Sequence, residues 1–254
     1  MRPLALITGA SSGIGLELAR IHARSGNLII VSRSTSRLLE VKDELEEQYD
    51  IEVHIIPKDL SIPDSAEELF DEVKELELVP DYLINNAGIG DYGFFHEADW
   101  YKQESMINLN ILTLTHLTWL FGREMIEHGS GKIMNIASTA AFQPGPMMSV
   151  YHASKHYVLA FSEGIANEWK DFGVTVTALC PGPTLSEFQK EAGMNLSKPM
   201  ADGKLANPAE VAAYGYRAML DGQVVAIHGL KNRLMATGFK LMPKSLASKT
   251  IRKL

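Results

Sequence analysis

Tyr151 and Lys155 stand four residues apart, and Ser138 lies thirteen residues before the tyrosine. On a helix, residues i and i+4 share one face, so this spacing holds the lysine ammonium beside the phenol. A free phenol ionises near pH 10 and is a poor base at neutral pH; bringing it to about 7 takes roughly 4 kcal/mol of differential stabilisation. A neighbouring ammonium supplies positive potential of the required sign. The residue types therefore point to a tyrosine acting as general acid and base. His152 and His156 flank it, but such chemistry does not need them, and they read as structural or rim residues. Cys180 reads as a small packed hydrophobe. No His, Asp or Glu grouping has metal-ligand spacing, so no metal is expected.

A second constellation opens the chain. Thr8-Gly9-Ala10-Ser11-Ser12-Gly13-Ile14-Gly15 follows the apolar run Leu4-Ala5-Leu6-Ile7 and precedes a helical pattern. Glycines at a strand-to-helix turn permit close backbone approach to a pyrophosphate, and the helix start favours the anion. The same residues also match Gly-x-Ser-x-Gly, the nucleophile elbow of serine hydrolases. An elbow needs an oxyanion-hole loop from an earlier strand, and none precedes this one, so the hydrolase is set aside. After the second strand comes Ser32-Arg33-Ser34, with Arg37 one turn on, where an NAD-binding chain would place a carboxylate. Arg33 offers a planar fork suited to a 2′-phosphate, which favours NADP(H); the alternative is a solvated loop charge. Asp59-Leu60 follows the third strand, where Asp59 either reads an adenine edge or caps a helix.

These residues need a scaffold that brings strand ends together. Strands are expected at 4–7, 28–31, 52–56, 82–84, 132–136, 174–179 and 224–227, and helices at about 13–25, 35–48, 64–76, 103–128, 151–171 and 208–220. The alternation implies right-handed βαβ units in a Rossmann-like, doubly wound α/β fold, with about seven parallel strands and helices on both faces. Its ligands bind beyond the carboxyl ends of the strands. With 254 residues, 46% apolar and 22% charged, the chain suits a packed globule rather than disorder or a coiled coil. One cysteine rules out an intrachain disulfide and fits a reducing, cytoplasmic setting. A net charge of −7 argues against a general nucleic-acid binder. No apolar run reaches the roughly 18–20 residues of a membrane span, and the glycine loop begins too early for a signal peptide. One domain is expected over 1–230, with a C-terminal extension over 231–254.

Taken in order, Thr8 to Gly15, Asn85-Asn86-Ala87-Gly88, Asn110, Ser138, Tyr151/Lys155 and Pro181-Gly182 resemble the short-chain dehydrogenase/reductase family, over residues 3 to about 228. The resemblance is strongest to its NADP-dependent 3-ketoacyl and hydroxysteroid-type reductases. It implies that Tyr151 donates the proton in reduction and accepts it in oxidation. Lys155 would lower the tyrosine's pKa and bond the nicotinamide ribose, and Ser138 would hold the substrate carbonyl oxygen. Asn110 would kink its helix and hold a water linked to Lys155; Asn108 is the competing assignment, which the Leu-Asn-Ile register disfavours. Gly9, Ser11, Ser12, Gly13, Ile14 and Gly15 would cradle the dinucleotide, with Asn86, Ala87 and Gly88 on its adenosine side. Pro181, Gly182, Thr184 and Ser186 would wrap the nicotinamide; Ser186 stands where the family often has threonine.

Three loops are expected to rim the substrate cleft: Tyr92, Phe94 and Phe95; Phe142, Met147 and Met148; and Leu185, Phe188, Met194, Leu196 and Met200. Their apolar, methionine-rich character suits a small apolar ketone or secondary alcohol. The rival class is a non-catalytic dinucleotide-binding sensor or scaffold, against which the intact Ser138/Tyr151/Lys155 set argues. A homodimer is expected through the long helices at 103–128 and 151–171, with tetramer formation doubtful. No acidic residue follows Asp221, and the basic tail carries Leu234, Met235, Phe239, Leu241, Met242, Leu246 and Ile251, with a break at Pro243. Two short amphipathic helices there would serve as a substrate lid or as a foot on acidic membrane, packing on the protein being favoured.

Overall fold

A computed structural model describes residues 2–194 and 205–241. Seven strands form one parallel sheet: β1 (Leu4–Thr8), β2 (Asn27–Ser32), β3 (Val53–Pro57), β4 (Tyr82–Asn85), β5 (Gly131–Ile136), β6 (Val174–Cys180) and β7 (Val225–Ile227), in the order β3-β2-β1-β4-β5-β6-β7. The order reverses between β1 and β4, where Ile7 pairs with Ile30 on one side and Ile84 on the other. That switch point opens the crevice in which such sheets take ligands.

Strand residues alternate between faces, so each strand feeds two cores. Ala5, Ile7, Leu28 and Ile30 face one layer of helices: α1 (Gly13–His22), α2 (Thr35–Gln48) and α8 (Pro208–Leu220). Leu6, Ile29, Val31 and Leu83 face the other: α3 (Ser65–Glu75), α5 (Leu114–His128) and α6 (Ser149–Trp169). This two-sided burial is why the strands are continuous apolar runs. The helix starts follow their local chemistry. Asn207 accepts from Ala209 N–H at 2.9 Å ahead of Pro208. The helix expected at 103–128 is a composite of α4 (Trp100–Ile107), a π turn over Asn108–Thr113, and α5.

The tail begins as a helix, α9 (Leu230–Leu241). Ala236 is buried, whereas Leu230 and Leu234 are exposed, so Leu234 does not join the expected buried stripe. Arg233 fixes the start, donating to Tyr214 Oη at 2.6 Å and to Ile227 O at 3.0 Å. Met242, Pro243, Leu246 and Ile251 lie outside the described residues, as do Leu196 and Met200.

Candidate active site

The glycine loop is held by its neighbours before any ligand is considered. Gly9 and Gly13 have φ of 67° and 56°, which favour glycine. A Cβ on Gly15 would fall 2.2 Å from Gly9 O and 2.4 Å from Asn86 Nδ2. Asn86 donates through Nδ2 to Thr8 O at 2.9 Å and Gly9 O at 3.0 Å. Thr8 Oγ1 in turn accepts from the N–H groups of Asn86 and Ala87, both at 3.0 Å. Asn86 thus clamps the loop as well as lining the crevice, and Thr8 is an organising residue in its own right. Ser12 stands at the N-cap of α1 without bonding the helix through its hydroxyl.

One cavity of about 630 Å³ is lined by Gly9, Ser11, Ser12, Gly13 and Ile14, by Arg33, Arg37, Asp59 and Leu60, by Asn86, Ala87 and Gly88, and by Ser138, Tyr151, Lys155, Pro181, Gly182, Thr184 and Ser186. Gly15 is buried behind the loop. The residues present fit a dinucleotide: a glycine cradle free of Cβ atoms, helix-start N–H groups, and two guanidiniums at one end. Lys58 also lines the cavity and bonds Glu68 at 3.1 Å. Its place at the end of β3, beside Asp59, was the available signal for it. Asp59 is not a helix cap. Its Oδ1 accepts from Ser61 N–H at 3.0 Å and Ser61 Oγ at 2.7 Å, while α3 starts later, behind Asp64.

At the other end α6 presents Tyr151 and Lys155. Lys155 is only 5% exposed; its Nζ donates to Ile136 O at 2.8 Å and lies 5.8 Å from the Tyr151 ring centroid. Burial lowers the Lys155 ammonium to about 8. Burial also pushes the Tyr151 phenol up, opposed by a hydrogen bond from Ser138. Burial is the larger of these two effects, and the lowering expected of Lys155 is not among the causes acting on the phenol. Ser138 Oγ accepts from Ala140 N–H at 3.1 Å and shares a hydrogen bond with the Tyr151 hydroxyl.

Asn110 lies within the π turn, the distortion expected of its helix, and is fully buried. Its Oδ1 accepts from Ile89 N–H at 3.0 Å, and its Nδ2 donates to Ile89 O at 2.9 Å and Ser154 Oγ at 3.2 Å. These bonds tie the loop after β4 to α6, so the side chain acts as a clamp between them. A buried ladder lies below it: Asn85 Nδ2 donates to Thr118 Oγ1 at 3.0 Å and Asn135 Oδ1 at 2.9 Å, and Asn135 Nδ2 to Ser162 Oγ at 3.0 Å. Sequence reasoning missed this ladder, because a single polar residue inside an apolar strand carries no sign of its partner.

The segment after β6 folds back over the cavity. Thr184 Oγ1 donates to Gly182 O at 2.9 Å, and Gln189 Nε2 to Thr184 O at 2.6 Å. Gln189, another residue missed, also accepts from Ser186 Oγ at 3.1 Å. A Cβ on Gly13 would lie 3.3 Å from Ser186 Cβ, so Ser186 reaches the glycine loop. Of the expected rim, Met148, Phe188 and Met194 line the cavity. Tyr92, Phe94 and Phe95 are exposed and are not among its walls, since the loop after β4 turns them outward. Phe142, Met147 and Leu185 are not wall residues either. His152 does line it, with Nδ1 2.8 Å from Gln143 O, holding the turn that follows Ser138.

Residues 3–196 match the family described as short chain dehydrogenase. The chain belongs to that family. It is 39% identical to 2-dehydro-3-deoxy-D-gluconate 5-dehydrogenase of Bacillus subtilis over 184 residues, 70% of this chain and 69% of that one. It is 30% identical to the very-long-chain 3-oxoacyl-CoA reductase of Anas platyrhynchos over 257 residues, 98% of this chain and 78% of the relative. Among solved structures, a short-chain dehydrogenase from Sphingobium yanoikuyae in complex with NADPH superposes with a TM-score of 0.85 at 30% identity, covering 93% of this chain and 92% of that one. The seven-stranded parallel sheet with helices on both faces is the Rossmann-like fold expected from the sequence. Among the described residues no helix is long and apolar enough to cross a membrane, and no metal-binding cluster is present.

Proposed function

We propose that this short-chain dehydrogenase uses NADP(H) to interconvert an apolar ketone and its secondary alcohol. The observation that carries the reading is the single cavity lined at one end by Arg33 and Arg37 and at the other by Ser138, Tyr151 and Lys155. The NADPH complex of the Sphingobium relative supports the cofactor choice. When bound, the nicotinamide supplies or takes up the hydride. The chain supplies the rest. Ser138 Oγ donates to the substrate carbonyl oxygen and orients it. Tyr151 Oη delivers its proton to that oxygen in reduction and recovers it in oxidation. Lys155, positively charged below about pH 8, offsets the charge that develops on the phenol oxygen. Asn110 holds the loop after β4 against α6, and Met148, Phe188 and Met194 provide the apolar wall.

The Bacillus and Anas relatives are named for a sugar acid and for a very-long-chain acyl-CoA. The apolar wall favours the second kind of ligand. The test is NADPH oxidation against carbonyls of rising apolar bulk beside 5-keto sugar acids. Turnover that rises with apolar chain length is expected; turnover confined to the sugar acids would overturn the substrate class. We further propose a homodimer through α4–α5 and α6, where Trp119 and Tyr157 stand exposed. Light scattering that finds a monomer at micromolar concentration would contradict it.

A further inference from the structure

α7 (Phe188–Glu191) is a single helical turn between Thr184 and Met194. Two carboxylates at its ends reach back across the cavity. Glu191 Oε1 accepts from Arg33 Nη2 at 3.3 Å, and Glu187 Oε1 accepts from Arg37 Nη2 at 3.5 Å. All four side chains line the cavity. From the same turn, Phe188 lays its ring 5.3 Å from that of Tyr151 and closes against Gly90, where a Cβ would fall 2.5 Å from Phe188 Cζ. The segment thus touches both the guanidinium pair and the catalytic phenol.

We infer that Glu187 and Glu191 set cofactor selectivity by competing with the 2′-phosphate for Arg33 and Arg37. The inference rests on the cofactor reading above. A phosphate arriving at the guanidiniums must displace two carboxylates and is repelled by them. A ribose 2′-hydroxyl is neutral, displaces nothing by charge, and can donate to the Glu191 carboxylate. The acidic pair therefore narrows the preference for NADP(H) over NAD(H) that the arginines alone would give. The four side chains are between 49% and 60% exposed, and exposed ion pairs are weak and screened by salt. The carboxylates consequently tune the site without blocking it.

The double variant Glu187→Gln/Glu191→Gln tests this, with 2′,5′-ADP and 5′-ADP titrated by calorimetry into wild type and variant at low and high salt. The variant should bind 2′,5′-ADP about three- to ten-fold more tightly at low salt, the gain expected from removing two exposed pairs. Its affinity for 5′-ADP should not rise, since the 2′-hydroxyl loses a carboxylate acceptor, and the gain for 2′,5′-ADP should fade at high salt. Equal 2′,5′-ADP affinity in wild type and variant, or an equal gain for both ligands, overturns the inference. If wild type itself binds the two ligands alike, the NADP(H) reading fails and the inference falls with it. A wild-type preference for 2′,5′-ADP that the variant leaves unmoved sinks the inference alone.

Discussion

At the reaction end of the cavity, Lys155 and Asn110 are buried and bonded to backbone atoms of β5 and of the loop after β4. At the other end, Arg33 and Arg37 stand in solvent with carboxylates 3.3 and 3.5 Å away. The first region is fixed by secondary structure and by a buried polar ladder. The second is fixed by side chains that water and salt can separate. The difference teaches where each property of the enzyme resides. On the proposed function, rate would depend on the buried groups and cofactor choice on the exposed ones.

The comparison can be broken first at Tyr151. Tyr151→Phe keeps the ring against Phe188 and removes the transferable proton, so kcat should fall by about 10²–10⁴-fold. Steady-state turnover near that of wild type would remove Tyr151 from the chemistry. At the exposed end, Arg33→Ala removes a charged partner of the phosphate, a bond contributing roughly 1.5–3 kcal/mol, or about 10- to 150-fold in NADPH affinity. NADH should be almost unaffected, as the ratio of kcat/KM for the two cofactors will report. If both cofactors weaken alike, Arg33 is structural.

Asn135→Ala tests whether the buried ladder fixes the reaction end. It leaves the Asn85 amide and the Ser162 hydroxyl with fewer partners, and an unsatisfied buried polar group costs about 1–3 kcal/mol. Thermal unfolding should move down by several degrees while the NADPH-to-NADH preference stays put. An unchanged Tm would mean that the ladder contributes little. The pH profile sharpens the same contrast. Lys155 titrates near 8, so its positive charge is present below that pH and is lost above it. Reduction should decline by up to about ten-fold per pH unit above 8, and a flat profile to pH 10 would detach Lys155 from the proton transfer.

The smallest effect is expected at the far end of the sheet. His22 is buried, 2.8 Å from Tyr216 Oη through Nδ1 and 3.2 Å from Pro3 O through Nε2. Burial lowers its pKa. The folded state thus holds it neutral, so its contribution to stability is complete above the ordinary histidine value of about 6.5 and is lost as pH falls below that. Urea midpoints should decrease from pH 7 to 5 in wild type and less so in His22→Gln. An equal decrease in both would assign the effect to other groups.

Much of this was legible in the sequence for a physical reason. Strands buried on both faces must be unbroken apolar runs, and each of the seven expected strands is observed with small shifts at its ends. Tyr151, Lys155, Arg33 and the glycines carry their spacing or strand-end position on the chain itself. Other features depend on partners far away in sequence. Asn86 clamps Thr8 and Gly9 across more than seventy residues, and Glu191 meets Arg33 across 158. The outward turn of Tyr92, Phe94 and Phe95 was equally hidden, because an aromatic in a loop carries no periodicity to give its direction.

Single-turnover hydride transfer and NADPH affinity, measured together for wild type, Tyr151→Phe and Arg33→Ala, test the division between the two ends most directly. Tyr151→Phe should lose the transfer rate and keep its NADPH affinity. Arg33→Ala should lose affinity and recover a wild-type rate at saturating NADPH. Variants that lose rate and affinity in equal proportion, or a Tyr151→Phe enzyme that transfers hydride at the wild-type rate, would contradict the account.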